Sequence, residues 1–312
     1  MAKTPTSAVA VVEGVRISHP DKLLWPADGI TKLDLARYYE GIAPTMLPYV
    51  VQRPLTLRPF PRGIDRPGFY LKDAPKGTPG WLTTFRDVAE STGAPVDFVV
   101  ATDARTLVWQ AQFNAVEVHP WLSRIDRPDL PDWAVVDLDP PDLAPGPSGP
   151  PGAPAAAAGP AAVARAAALV REHLAARGLQ SFPKLTGQTG IHVLVPLART
   201  HPFDHVRRFF AGLADALCAA HPDLLTRDYS VAQRGGRILI DYAQNARGKT
   251  TVAPYSVRPK PGAPVAVPLT WDELADPAFW RDRWTLRTVF DRLEHVGDPL
   301  APALGLAQRL PA

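Results

Sequence analysis

The sequence predicts a compact fold of mixed helices and strands, of the α/β or α+β kind, and three stretches carry that reading. Trp133-Ala-Val-Val-Asp-Leu-Asp139 alternates as a strand and stops at Pro140-Pro141, which cannot donate to a ladder. Residues 161 to about 177 place Val163, Ala167, Val170 and Leu174 on one helical face, and Gly178 stands where a C-terminal cap belongs. Two further strands, Phe182 to Leu185 and Ile191 to Leu197, flank a turn that holds Gly187 and Gly190. Strand, helix and strand in that order build a single packed core.

The strand ending in Asp137-Leu-Asp139 is the chemical centre of the chain. Side chains at i and i+2 point the same way, so Asp137 and Asp139 share a face while Leu138 turns toward a core. Two anions held that close repel unless a cation or a proton sits between them. A hard divalent ion, Mg²⁺ or Mn²⁺, suits an all-oxygen pair. The other reading is two solvated carboxylates on the open face of an edge strand.

Taken in order, residues 1–12 read as a loose tail. Thr31 is a good N-cap with Asp34 three residues on, and the helix it opens runs through Leu33, Ala36, Tyr38 and Tyr39 toward Met46. Lys22 and Lys32 flank the Leu23-Leu24-Trp25-Pro26 turn, either as a phosphate-holding pair or as ordinary surface cations. Arg53 to Arg62 reads as a strand leaving a basic rim. Phe69 and Tyr70 then stand side by side near Lys72 and Lys76. On a strand they would face opposite sides, one of them into the core; the alternative is a stacking platform flanked by cations. Val96–Val100 is a strand, Asp103 caps a helix through Leu107, Val108 and Ala111, and Ala115–Trp121 is a strand that delivers His119 to its end.

Residues 140–161 are rich in Pro, Ala and Gly, cannot bury a core, and read as a surface loop inside one domain. In the following turn, Lys184, Thr186, Gly187, Thr189 and His192 converge on a place where an anion can sit. The spacing of a P-loop is absent. An amphipathic helix spans the region from Thr200 to Pro222, with Val206, Phe209, Phe210, Leu213 and Leu217 on one face. Ile238-Leu-Ile240 is a buried strand with Asp241 at its end, amid Arg234, Gln244, Lys249 and Arg258. Acids of this kind hold metal, and bases neutralise phosphate charge. Trp271 to Leu293 reads as helices covering the core, and residues 301–312 as a tail.

Composition narrows the class. The 312 residues are 46% apolar and carry a net charge of +3, which permits a nucleic-acid partner without demanding one. The single cysteine, Cys218, excludes a disulfide framework and a Cys-rich zinc site. No apolar run is long enough to span a bilayer and no signal-peptide core is present, so a cytoplasmic, nucleoid-associated location without membrane contact is expected.

Asp-Leu-Asp, then Thr-Gly-Gln-Thr-Gly-Ile-His, then Leu239-Ile-Asp-Tyr-Ala-Gln-Asn-Ala-Arg-Gly-Lys-Thr-Thr-Val-Ala-Pro-Tyr-Ser-Val-Arg258 resemble the archaeo-eukaryotic primase superfamily. More narrowly, the chain is similar to the polymerase domain of bacterial end-joining DNA ligases and its stand-alone primase-polymerase relatives. The resemblance runs from His19-Pro-Asp-Lys-Leu-Leu-Trp-Pro26 to Thr270-Trp-Asp-Glu-Leu274. It implies an α+β fold with a mixed sheet carrying the acids, a second small sheet and flanking helices, in one catalytic domain over residues 13–300. It implies a template-dependent nucleotidyltransferase, favouring ribonucleotides, that fills gaps or extends ends in DNA repair.

The same resemblance assigns roles. Asp137, Asp139 and Asp241 bind two divalent ions, Mn²⁺ or Mg²⁺. Thr186, in a place usually taken by serine, bonds the triphosphate with His192. Gly187 belongs to that turn. Lys184, Arg234, Lys249 and Arg258 surround the triphosphate or template, Gln244 lies near the nucleotide sugar, and His119 precedes the acidic strand. Lys22 and Lys32 bind a 5′-phosphate across a gap, and Phe69 with Tyr70 packs on the template. The partners implied are gapped, nicked or broken DNA bearing a 5′-phosphate, nucleoside triphosphates, an end-binding protein and an ATP-dependent ligase. No nuclease or ligase motif is read in the 312 residues, so a separate ligase is expected. Thr189 departs from the family, standing where many relatives carry a basic residue. A DNA-end-binding module with vestigial chemistry and a metal-dependent phosphoesterase are the competing classes.

Overall fold

The computed structural model describes residues 9–88, 93–141, 159–276 and 284–311. The chain opens on a hairpin, β1 (Val9–Val12) and β2 (Val15–Ser18), turned at Glu13 and Gly14, both with positive φ. This corrects the expected tail: Val12, Val15 and Ile17 find a core to bury against, which orders the strand. Residues 1–8 lie outside the described residues.

A short ribbon follows, β3 (Leu23–Trp25) and β4 (Ile30–Thr31), with Trp25 fully buried. Helix α1 (Lys32–Val50) starts as expected. The Asp34 N–H donates to the Thr31 hydroxyl at 3.1 Å, and the Thr31 N–H donates back to the Asp34 carboxylate at 2.8 Å. It runs past Met46 despite Pro44 and Pro48, because buried Tyr49 and Val50 extend its apolar face.

The next elements are β5 (Pro54–Pro59), β6 (Thr84–Val88), β7 (Pro95–Val100), α2 (Ala104–Gln112), β8 (Ala115–Pro120) and β9 (Trp133–Asp139). Then come α3 (Pro160–Ala175), β10 (Phe182–Leu185), β11 (Ile191–Pro196), α4 (Phe203–Ala220), β12 (Leu225–Thr226), α5 (Val231–Arg234), β13 (Ile238–Asp241) and α6 (Val289–Val296). Gly178, with φ 74°, closes α3 as expected: Leu179 N–H reaches back to Leu174 C=O at 3.0 Å.

Two sheets form the frame. The larger has the order β10-β11-β9-β13-β12 and is antiparallel except for the parallel β12–β13 pair, so it is mixed. The smaller, β6-β7-β5-β8, is antiparallel throughout. Helices α1 and α2 pack together, α3 lies on β9 and β11, and one continuous core joins these layers. The fold is α+β.

Two covering segments differ from expectation. Trp271–Leu293 holds a 3-10 turn at Glu273–Ala275 and the start of α6, with residues 277–283 outside the described residues. Of the 301–312 stretch, residues 301–311 are docked rather than a tail, and residue 312 lies outside the described residues. Ala303 and Leu310 are buried, and Gln308 donates to the carbonyls of Gln180 at 2.9 Å and Pro196 at 3.1 Å. Of the 140–161 loop, residues 142–158 lie outside the described residues. Among the described residues no helix is long and apolar enough to cross a membrane.

Candidate active site

Four strands of the larger sheet align their site residues in one row. Lys184 on β10 faces His192 on β11, His192 faces Asp137 on β9, and Asp137 faces Asp241 on β13. Directly opposed residues of an antiparallel pair share a face, so all four stand on the same side. Asp139, two residues along β9, joins that side, while Leu138 is fully buried on the other.

That face forms the floor of a cavity of about 570 Å³. Asp137, Asp139 and His192 line it from the sheet, and Thr186 and Thr189 from the adjoining turn. Thr56 and His119 reach it from β5 and β8, where they are paired across the ladder. Tyr70 and Lys72 close one side; Gln244, Lys249 and Arg258 close another.

Electrostatics hold Asp137 ionised. Burial pushes its pKa up, but His192, Lys184 and Arg258 outweigh burial and leave the carboxyl below the usual range. His192 Nε2 stands 3.5 Å from Asp137 Oδ1. Burial and the Lys184 charge push His192 down, against the pull of Asp137. Asp137 Oδ1 is buried with no aligned hydrogen-bond donor, an oxygen suited to a cation. Among the described residues, however, no three His, Cys, Asp or Glu side chains gather tightly enough to hold a metal by themselves.

Asp241 explains the shortfall. Its Oδ1 accepts from the Tyr229 hydroxyl at 2.9 Å and the Ala243 N–H at 2.7 Å, and its Oδ2 accepts from Gln244 Nε2 at 3.0 Å. It is in register with Asp137 yet does not line the cavity.

Three other expected contacts are displaced. Lys184 is fully buried and donates to the Val252 carbonyl at 2.9 Å; burial and Arg258 lower its pKa to about 7, against the pull of Asp137. It acts on Asp137 through the field rather than in the cavity. Arg234 donates to the carbonyls of Asp228, Tyr229 and Asp139 at 3.1, 3.2 and 3.5 Å, so its fork fastens a loop. Gly187, with φ 68°, serves a packing need: a Cβ there would meet Arg258 Cγ at 2.7 Å. The Thr186 hydroxyl organises the same turn, accepting from Gln188 N–H at 3.3 Å and Gly190 N–H at 3.2 Å.

Neither Phe69 nor Tyr70 is core; they are 51% and 59% exposed. The segment meets β5 through an isolated bridge at Leu71 and the Phe69 N–H bond to Pro59 C=O at 3.3 Å, so strand alternation does not govern it. Tyr70 lines the cavity with its ring edge-on to His119 at 5.7 Å, and the Arg58 guanidinium lies 5.1 Å from its centroid. Phe69 stands outside that wall.

A second cavity of about 650 Å³ brings Lys22 and Lys32 together with Ser18, His19, Gln112 and Asn114. Lys22 Nζ donates to Pro61 C=O at 2.6 Å and Lys32 Nζ to Ser18 C=O at 3.0 Å. Gln112 fixes that wall, accepting from Ser18 N–H at 2.9 Å and donating to its hydroxyl at 2.8 Å. Burial, and then Lys22, lower the Lys32 pKa to about 8.

Two residues escaped the sequence reading. Glu117 is fully buried on β8, with Arg58 at 2.8 Å, Arg258 at 2.9 Å and His119 at 3.7 Å. Burial alone would raise its pKa; His119, Arg258 and Arg58 hold it at about 2. Its i,i+2 spacing from His119 was the available signal. Asn245 accepts from Val135 N–H at 2.9 Å and donates to Val135 C=O at 2.7 Å, tying the loop after β13 to β9. Its signal was only an Asn in the loop after β13.

A mixed sheet that presents Asp137 and Asp139 to a cavity rimmed by His119, Lys249 and Arg258 defines a site of the primase-polymerase class. The chain belongs to the LigD primase-polymerase domain family, whose profile matches residues 31–300. It is 36% identical over 290 residues to the multifunctional non-homologous end joining DNA repair protein LigD of Mycobacterium tuberculosis, covering 92% of this chain and 36% of that protein. To the LigD protein of Pseudomonas aeruginosa it is 33% identical over 306 residues, covering 97% of this chain and 34% of that protein. The polymerase domain of Mycobacterium tuberculosis ligase D, solved in complex with DNA, superposes with a TM-score of 0.81 at 31% identity, covering 97% of this chain and all of that one. The chain therefore spans about a third of the length of these full-length relatives.

Proposed function

We propose that this domain is a template-directed nucleotidyltransferase that adds ribonucleotides in preference to deoxyribonucleotides at gaps or broken DNA ends. The observation that carries this is the pairing of Asp137 and Asp139 with the cations of Lys249 and Arg258 around one cavity. The Asp137 oxygen that lacks an aligned hydrogen-bond donor and an all-carboxylate donor set fit a hard divalent ion, Mn²⁺ or Mg²⁺. Bound there, divalent ions would acidify the primer 3′-hydroxyl and neutralise the leaving pyrophosphate.

The residues supply the rest. Asp137 and Asp139 would hold the metal. Asp241 would join them by giving up its bonds from Tyr229 and Gln244. Lys249 and Arg258 would clamp the triphosphate, with His192 and the Thr186–Thr189 turn beside it. Gln244, freed from Asp241, would meet the sugar. Tyr70 and Phe69 would receive the template, and Lys22 with Lys32 a downstream 5′-phosphate. A ligase and an end-binding protein would act on the same DNA, in the cytoplasm at the nucleoid.

Incubating the protein with primed template, divalent metal and labelled nucleoside triphosphates tests this reading. Primer extension supports it. A band shift without extension indicates a binding module, and release of phosphate without extension indicates a phosphoesterase.

A further inference from the structure

We infer that Glu117 is a positioning residue for the triphosphate, acting through Arg258; this rests on the nucleotide-binding reading above. Glu117 does not line the cavity, yet it is fully buried in β8 and draws together two arginines from different parts of the chain, Arg58 and Arg258. Arg58 sits directly opposite it in the β5–β8 register, and His119 follows on the same face. Arg258 comes from a different part of the chain, its backbone held by Pro264 C=O at 2.7 Å.

A buried carboxylate is rare unless cations surround it. Here two of the three partners, Arg258 and His119, are themselves cavity groups. Arg258 faces Glu117 Oε1 through Nε, at 2.9 Å. The side chain lines the cavity, so its two Nη amino groups are the atoms left for a ligand. Gly187 packs under its stem, where any Cβ would collide at 2.7 Å. A long guanidinium side chain is thus held by packing at its stem and by an ion pair at its neck, the pair lacking an aligned hydrogen bond, on the wall of the cavity. Bidentate recognition of phosphate depends on a fixed fork. Glu117 also keeps Arg58 from competing for that anion by engaging it at 2.8 Å.

The test compares wild type, Glu117→Gln, Arg258→Gln and the double variant. Two readouts are needed: equilibrium binding of ATP with Mg²⁺, and KM and kcat for primer extension. Glu117→Gln should weaken ATP binding and raise KM about tenfold, with kcat within about threefold, because a charge-assisted contact is lost while the acids are untouched. The double variant should match Arg258→Gln alone, since the two residues act in series. If Glu117→Gln alone does not fold, the double variant, which removes both charges of the pair, carries the same comparison. Unchanged ATP affinity in folded Glu117→Gln, or losses that simply add in the double variant, would overturn the inference. Wild-type protein that binds no triphosphate would sink both this inference and the nucleotide-binding reading. Wild-type binding with an indifferent Glu117→Gln would sink this inference alone.

Discussion

Asp137 and Asp241 stand directly opposite each other across β9 and β13, yet only Asp137 opens onto the cavity. The proposed metal binding would therefore fall first on the two acids of β9, which both line the cavity.

Replacing Asp137 and Asp139 together by Ala should abolish primer extension while DNA affinity changes by less than about threefold, since phosphate contacts come from separate bases. Extension assays and mobility shifts on the same preparation check both halves. Near wild-type extension by the double variant would refute the assignment.

Gly187→Ala should damage the site without touching an acid. The new Cβ meets Arg258 Cγ at 2.7 Å and the residue keeps φ 68°. Backbone strain of this kind costs about 1–3 kcal/mol. The melting temperature should fall and KM for the triphosphate should rise. A variant with both unchanged would show that Arg258 does not need the space.

The preference for a 5′-phosphate should depend on pH through Lys32, whose pKa is lowered to about 8 by burial and by Lys22. Below that value the ammonium is charged and can donate to the phosphate. As pH rises through it, the charge is lost and so is the contribution. A bound dianion favours the charged form, so the decline should extend above pH 8 rather than begin below it. Competition between phosphate-ended and hydroxyl-ended gapped DNA, from pH 7 to about 9.5, gives the profile expected for a lysine of lowered pKa. Lys22→Ala with Lys32→Ala should erase the preference at every pH, and equal affinity for both ends in the unmutated protein would contradict the pocket.

Sugar choice is checked by competition between ATP and dATP on one template. The expected result is preferential incorporation of the ribonucleotide, reduced by Gln244→Ala. A deoxynucleotide preference in the unmutated protein would remove Gln244 from that role.

The acidic strand was legible because everything it needs is local. Trp133 to Asp139 alternates, Leu138 turns inward, and Pro140-Pro141 ends it. The Thr31 cap was legible for the same reason, with its partner three residues away. Glu117 was not, because the arginines that explain it lie in distant parts of the chain. Asn245 meets Val135 across 110 positions, a contact that no periodicity announces. Lys184 and Arg234 were identified by charge type, but only tertiary packing decides whether a cation reaches a cavity or a carbonyl. β1 was misread as part of a tail because the partners that order it, β2 and α1, are met only in the folded chain.

Asn245 hangs the loop bearing Gln244 and Lys249 from Val135, two residues before Asp137 on the same strand. Mechanically, the loop and the acids are coupled, since a shift of β9 pulls on the loop through Asn245. The same loop is bridged at Thr250 to Trp121, just beyond β8, so it ties the two sheets together at the rim of the cavity. A change in the seat of the β9 acids is therefore transmitted to Gln244 and Lys249 through the backbone of that loop.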